Sequence, residues 1–260
     1  MDDMLSVITL NLRFGLANDG PNNWNLRKKC FPFLFDKYPA DFIGLQEAND
    51  FQTDFLKNIL TEHKFIGKRN PAPLFWQNNI IFYKKTWKCI HSEHFFLSPT
   101  PMIPSRSRES LWPRQCTIGI FESNGHSLIY INTHFDFDPA VQVKSAELIM
   151  KRLSRLPSEL PVIFTGDFNA TPSRPCYKVL TKQNKKLNST NNLYFKNTFS
   201  EPFPGTHHGF SGNSNGDHID WILYRGRIIS VDCKVIHDKI HGLYLSDHFP
   251  LYAKFKWEEQ

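Results

Sequence analysis

Residues 160–172 read LPVIFTGDFNATP, an apolar run that ends in a carboxylate and a carboxamide two positions apart. The run LPVIF, residues 160–164, is β-branched and aromatic with a proline near its start, and it reads as a buried strand. Side chains alternate faces along a strand, so Asp167 and Asn169 are expected on one face and Gly166 and Phe168 on the other. Thr171 and Pro172 break the strand. An acid beside an amide at a strand terminus suits the holding of a water, a metal or a phosphate.

Outward from this stretch, strand-like runs recur at 5–14, 41–47, 79–85, 115–122, 127–135, 218–225 and 251–257. Helical spacing of apolar residues falls between them at 24–38, 49–60, 140–156 and 173–182, and AVQVKSAELIMKRLSRL is the clearest amphipathic case. Helices alternating with strands predict an α/β protein with helices layered over sheet. No repeat, low-complexity tract or Pro/Gly linker divides the chain, so residues 1–260 are expected to form one domain. Two stretches read as long loops: GLANDGPNNWN at 15–25, and residues 183–217, rich in Asn, Ser, Gly and Lys.

The composition, 40% hydrophobic and 14% aromatic, supports a packed core. No window approaches ~18 consecutive apolar residues, and the acidic start MDDMLSVITL lacks a basic n-region. Neither a membrane span nor a secretory signal is indicated, and the expected address is cytoplasmic. Five singly scattered cysteines with no CxxC argue against a disulfide framework or a zinc site. The formal charge of +6 and a pI near 9.0 favour phosphate-bearing partners, a weak signal taken alone.

The strand-end pattern repeats elsewhere. Asn11 and Arg13 share a face in VITLNLRF; Gln46 and Glu47 end the run in DFIGLQE; Asn132, His134 and Asp136 share a face in YINTHFDFDP; His218 and Asp220 share one in HIDWILY; Asp247 and His248 precede the last strand. Singly, each has an ordinary structural reading, as a turn former, a helix N-terminal charge or a hydrogen-bonded histidine. Together they supply what phosphate hydrolysis uses: hard oxygen ligands for a cation, a carboxylate to take a proton, and amides and imidazoles to hold phosphoryl oxygens.

In order, the segments TLNLRF, IGLQE, INTHFD, TGDFNATP, HIDWILY and SDHFPLYAKF make the chain resemble the endonuclease/exonuclease/phosphatase superfamily, the deoxyribonuclease I-like fold, over residues 7–257. The resemblance implies a four-layered α/β/β/α sandwich of two packed, mostly antiparallel sheets flanked by helices, with the site at one end of the sheets. Phe164 and NATP depart from the inositol polyphosphate phosphatase pattern, and Arg13 stands where abasic-site endonucleases carry an aspartate. NTHFDFDP, GDFNATPSRPCYKVL and LSDHFPLYAKF look closest to the deadenylase and nocturnin-like branch and a bacterial relative of it, which shares something similar to DGPNNWNLR, to the PR of 113–114 and to GTHHGF at 205–210.

That resemblance implies Glu47 as the main ligand of Mg²⁺ or Mn²⁺, with Asn11 helping directly or through water. Asp167 would orient and deprotonate the attacking water, Asn169 would hold that water or a phosphoryl oxygen, and His248 would donate to a non-bridging oxygen. Asp220 would accept from His248 and fix its tautomer, and His134 would make a second phosphate contact. Asp247 is left between touching the metal and steadying the site from behind.

Arg13 and Arg114 are candidate substrate contacts, each with a surface salt bridge as the alternative reading. Trp24 and Arg27 beside the first loop suit a lid, with Trp24 either stacking a base or packing in the core. His208 is a candidate for covering the site from the second loop. The expected activity is metal-assisted hydrolysis of a phosphodiester in single-stranded RNA or a nucleotide, by a chain expected to be monomeric. The alternatives are a phosphatase for a small phosphorylated metabolite and an inactive binding module. A lipid phosphodiesterase would want apolar membrane-docking loops, and the two long loops are mainly polar.

Overall fold

The computed structural model describes residues 4–181 and 194–258. In chain order the elements are β1 (Met4–Asn11), α1 (Trp24–Arg27), α2 (Phe31–Lys37), β2 (Phe42–Ala48), α3 (Asp50–Ile59), β3 (His63–Ile66), β4 (Asn78–Lys84), β5 (Lys88–Phe96), β6 (Gln115–Ser123), β7 (His126–His134), α4 (Pro139–Leu153), β8 (Val162–Asp167), α5 (Pro175–Thr181), β9 (Lys196–Asn197), β10 (Asp220–Arg225), β11 (Ile228–Val235) and β12 (Leu251–Trp257).

The strands form two six-stranded sheets, ordered β11-β12-β1-β2-β4-β3 and β5-β6-β7-β8-β10-β9. Each sheet has one parallel pair at its centre, β1 with β2 and β7 with β8, and the remaining pairings are antiparallel. A parallel pair needs a crossover, and helices supply it: α1 and α2 between β1 and β2, α4 between β7 and β8.

Three apolar clusters define the layers. Leu5, Val7, Phe42, Phe121, Tyr130, Ile163 and Ile222 fill the space between the sheets. Ile8, Leu10, Phe31, Leu34, Ile43 and Leu56 join the first sheet to α2 and α3. Ile129, Ile131, Ala146, Ile149, Phe164, Cys176 and Leu180 join the second sheet to α4 and α5. The architecture is the α/β/β/α sandwich of the deoxyribonuclease I-like fold.

The helix expected over 24–38 is divided: a 3-10 turn at Lys28–Cys30 separates α1 from α2, and Pro32 sits in the first turn of α2, where its missing N–H costs nothing. The helix expected at 49–60 forms as α3 behind a capping box, in which Asn49 and Gln52 satisfy each other's backbone N–H groups. Asp138 caps α4 by accepting from Ala140 N and Val141 N, both at 2.9 Å. Of the second long loop, residues 183–193 lie outside the described residues. All five cysteines are free thiols.

Beneath the site the two sheets are also tied by buried polar groups. Asn132 Nδ2 donates to Leu45 O and Ile80 O at 2.9 and 2.8 Å. Its Oδ1 accepts from Gln46 Nε2 at 2.6 Å, and Gln46 in turn reaches Thr9 Oγ1 at 3.0 Å. Gln46 and Asn132, though part of the strand-end pattern in the sequence, are thus inter-sheet fasteners. His218 is likewise structural: its Nδ1 bonds Pro204 O at 2.7 Å and its ring stacks on Phe203.

Candidate active site

The topology explains why six scattered segments meet. The four parallel strands β1, β2, β7 and β8 all end at the same edge of the sandwich, carrying Asn11, Glu47, His134 and Asp167 there. The antiparallel neighbours begin at that edge, so Asp220 pairs across from Asp167, and Leu251, three residues after His248, pairs across from Thr9. Gly166 precedes Asp167 because β8 lies tight against β7: a Cβ there would come within 2.4 Å of Thr133 O.

Three site residues need unusual backbone. Arg13, Glu47 and Asn169 have φ of 62°, 56° and 46°. Glu47 sits where the β2–β4 register shifts, and Arg13 and Asn169 lie two residues beyond their strands. Face alternation therefore does not place them. A non-glycine residue held in this region costs about 1–3 kcal/mol, and such positions cluster at functional sites.

Asp167 Oδ2 is the centre of the constellation. Asn11 Nδ2 donates to it at 2.9 Å, His134 Nε2 lies 3.4 Å away and His248 Nε2 3.8 Å away. Oδ1 accepts from Asn169 N at 2.9 Å. Complete burial, with the Asp220 charge adding to it, pushes the Asp167 carboxyl up to about 7. His248 Nδ1 donates to Asp220 Oδ2 at 2.8 Å, and Asp220 Oδ1 is buried with no hydrogen-bond partner among the described residues. Burial would lower the His248 pKa, but the carboxylates of Asp220 and Asp167 outweigh it and lift it to about 10, so the ring is an imidazolium at neutral pH.

His134 is the opposite case. Arg114 Nη1 lies 3.0 Å from its Nε2 and 3.1 Å from its Nδ1, and Asn169 Nδ2 is 3.0 Å from Nε2. Burial first, then the cations Arg114 and His248, hold it well below the ordinary histidine range, so it is a neutral acceptor. Arg114 is itself buried, its Nε 3.9 Å from Asp136 Oδ2 and without a hydrogen bond among the described residues. Arg13 stands at the edge, gripping Asp19 through Nε and Nη2 at 3.1 and 2.9 Å with Nη1 3.5 Å from Asp247 Oδ2. Asp247 also accepts from Ser246 Oγ at 3.0 Å.

The donor set suits a hard divalent cation. Glu47 Oε2 accepts from Phe14 N at 2.6 Å and its other oxygen takes no hydrogen bond among the described residues; its charge acts on both Arg13 and Arg114. Asn11 Oδ1 accepts from Arg13 N at 2.8 Å. Two further groups cluster within 4.8 Å, Asp167 with Asp220 and His248, and His207 with Asp247 and His248; the imidazolium of His248 holds no cation, which leaves the carboxylates and His207 as their ligands. Carboxylates, an amide oxygen and one imidazole form an oxygen-rich set appropriate to Mg²⁺ or Mn²⁺.

Three expected substrate contacts lie elsewhere. Trp24 is buried in the core, its ring 5.3 Å from Phe31 and 5.8 Å from Phe55, with no face free to stack a base. Arg27 is fully enclosed, donating to Asn22 O, Leu12 O and Leu245 O, so its guanidinium is occupied by main chain rather than by a lid contact. His208 is buried, stacked 3.9 Å from Phe249, and its Nδ1 accepts from Gly212 N. Its exposed neighbour His207 faces the site instead, 4.8 Å from the His248 ring. The doubled histidine of GTHHGF carried that signal, but sequence spacing does not say which ring turns outward.

The sequence also gave no hint of an apolar fringe at this end of the sandwich. Gln115 Nε2 donates to Gln77 O at 2.8 Å, so the segments leading into β4 and β6 run side by side there, and they expose Leu74, Phe75, Leu111 and Trp112. Phe137, just past β7, is exposed beside Arg114.

A sandwich of this topology with an acid, an imidazolium, an amide and an arginine at its strand ends defines a hydrolase of phosphate esters. Residues 8–248 match the Endonuclease/Exonuclease/phosphatase family, and the chain belongs to it. A comparison with curated proteins finds no match. Among solved structures, an endonuclease/exonuclease/phosphatase family protein from Bacteroides thetaiotaomicron superposes with a TM-score of 0.87 at 24% identity, over 98% of each chain. The mannosyl-6-phosphatase of Bacteroides thetaiotaomicron VPI-5482 gives 0.85 at 24% identity, over 97% of this chain and 100% of that one. The human nocturnin catalytic domain with bound sulfate anion gives 0.75 at 18%, over 98% and 93%. At these identities the likeness establishes the fold.

Proposed function

We propose that the chain is a Mg²⁺-dependent phosphodiesterase acting on RNA or nucleotides by in-line attack of water. The observation that carries the reading is the pairing of a buried carboxyl raised to about 7, Asp167, with the Asp220-bound imidazolium of His248 on the same few ångströms of sheet edge. A general base works best with a pKa near the operating pH.

Glu47 and Asn11 are the residues that would hold the cation, with Asp247 or His207 as neighbours of it. The cation, when bound, supplies positive charge against the phosphoryl oxygens. Asp167 takes the proton from water that Asn169 helps to orient. His248 donates from Nε2 to a non-bridging oxygen as charge develops, while Asp220 holds its Nδ1–H and stabilises the cation. Arg114 and Arg13 present guanidinium groups to phosphate oxygens. A cytoplasmic monomer is part of the same reading, consistent with five free thiols; among the described residues no helix is long and apolar enough to cross a membrane.

One observation favours a second reading, a phosphatase for a small phosphorylated metabolite: the likeness to the mannosyl-6-phosphatase extends over the whole of that chain. Incubation of 5′-labelled single-stranded RNA with the protein, with and without Mg²⁺ and beside Asp167→Asn, separates the two. A ladder shortening from the 3′ end, lost with chelator and in the variant, is the expected result. Intact RNA under conditions that release phosphate from sugar or nucleotide monoesters establishes the second reading instead.

A further inference from the structure

Away from the strand ends, the segment 97–110 between β5 and β6 stands off from α4 and encloses a cavity of about 520 Å³. Five cations line it: Arg108 from the loop, Lys144, Lys151 and Arg152 from α4, and Arg155 just after the helix. One carboxylate, Glu109, opposes them. Arg152 is engaged in the wall, bound to Glu93 at 3.0 Å and lying over Phe95. Arg108, Lys144, Lys151 and Arg155 make no salt bridge among the described residues.

A row of exposed lysines on a helix is ordinarily a solvated face. Here a second element folds over the row and adds a cation of its own, so four unpaired like charges converge on one concavity. Their mutual repulsion is relieved by an anion. The spread of the cations along the helix suits more than one phosphate. At a rise of ~1.5 Å per residue, Lys144 and Lys151 stand ~10 Å apart, close to two full turns and hence on one face, with Arg155 one turn further. One wall residue of the cavity is hydrogen-bonded to the main chain of an active-site residue. Leu97, in its wall, donates from its backbone N to Arg114 O at 2.8 Å, and Arg114 is the guanidinium against His134.

We propose that this cleft binds a chain of at least two linked phosphates, contributed by a nucleic-acid strand or by a free polyphosphate, and that a strand in it leads past Arg114 to the catalytic centre. The path to the centre rests on the phosphodiesterase reading; the affinity of the cleft for phosphates does not.

Binding is therefore measured without turnover. Full-length Asp167→Asn protein in chelator is titrated against a 5′-fluorescein single-stranded RNA 12-mer by anisotropy, and against tripolyphosphate by calorimetry. The triple variant Lys144→Ser/Lys151→Ser/Arg155→Ser changes only partly or fully exposed side chains, and its melting curve reports that it folds. The expected result is at least about tenfold weaker binding in the triple variant, and a salt slope for RNA smaller by about 2, since each phosphate contact on a single strand contributes ~0.7. Loss of RNA and tripolyphosphate binding together identifies a general phosphate-chain site; loss of RNA binding alone identifies a strand site. A control removing three exposed lysines elsewhere, Lys57→Ser/Lys64→Ser/Lys85→Ser, should change affinity by no more than about twofold in 0.1 M salt. Unchanged affinity in the α4 variant, an equal loss in the control, or no binding by the parent protein overturns the proposal.

Discussion

Around Asp167 each neighbour has a separable consequence. Asp167→Asn keeps the shape that Asn11 and Asn169 N bind but removes the base, so turnover should fall by more than the roughly 10²- to 10³-fold that loss of one oxyanion donor costs. His248→Ala should fall within that roughly 10²- to 10³-fold range. Asp220→Asn leaves the imidazole in place without its charge partner, so single-turnover rates should show an alkaline limb moved to lower pH as the imidazolium loses its main support. An unmoved limb would sink the assignment of Asp220 as the partner that sets the His248 charge. Residues at regular strand ends, such as Asn11, His134 and Asp167, were legible because period-two alternation survives up to the last paired residue. Arg13, Glu47 and Asn169 were legible in identity but not in orientation, since positive φ breaks that alternation.

The elements divide by position in the sheets. The sequence announces β1, β2, β4, β6, β7, β8, β10 and β12, all interior strands paired along both edges. The four it does not announce, β3, β5, β9 and β11, are the four edges. Edge strands carry polar residues that discourage pairing with another chain, and β5, KCIHSEHFF, and β11, IISVDCKV, alternate poorly for that reason. Loop anchors were equally hidden. Arg27 ties the carbonyls of Leu12, Asn22 and Leu245, segments that lead into Arg13, Asp19 and Asp247. Arg27→Met would leave those buried acceptors unpaired, with an expected loss of about 3 kcal/mol in urea unfolding and a lower kcat than stability alone explains. At α4, Asp138→Ala removes the cap on two N–H groups and should cost about 1 kcal/mol with little change in turnover.

For the molecule as a whole, burial of titratable groups makes stability a function of pH whose sign is fixed by direction alone. Burial holds His63, His94, His134, His207, His208 and His218 below the ordinary histidine range, with His208 down at about 4. As pH falls through about 6.5 the unfolded chain binds protons there that the folded protein does not, so stability is lost toward pH 4. Asp167 opposes this with a single proton, because its raised pKa lets the folded carboxyl hold one between about 4 and 7. His248 acts on the other side: its folded pKa near 10 gives stability that is complete below about 6.5 and is lost as pH rises through 10. Six sites against one on the acid limb, and His248 on the alkaline limb, put the maximum near pH 6.5. Melting temperatures of the metal-free protein in chelator, taken from pH 4 to 10, should trace that dome. His248→Gln should flatten its alkaline limb between about pH 6.5 and 9, above which the five thiols that burial pushes up lower the stability of both proteins, and leave the acid limb in place. A melting temperature that climbs steadily from pH 6.5 to 10 would mean that His248 is neutral in the fold, and with it the ion pair on which the proposed chemistry depends would be gone.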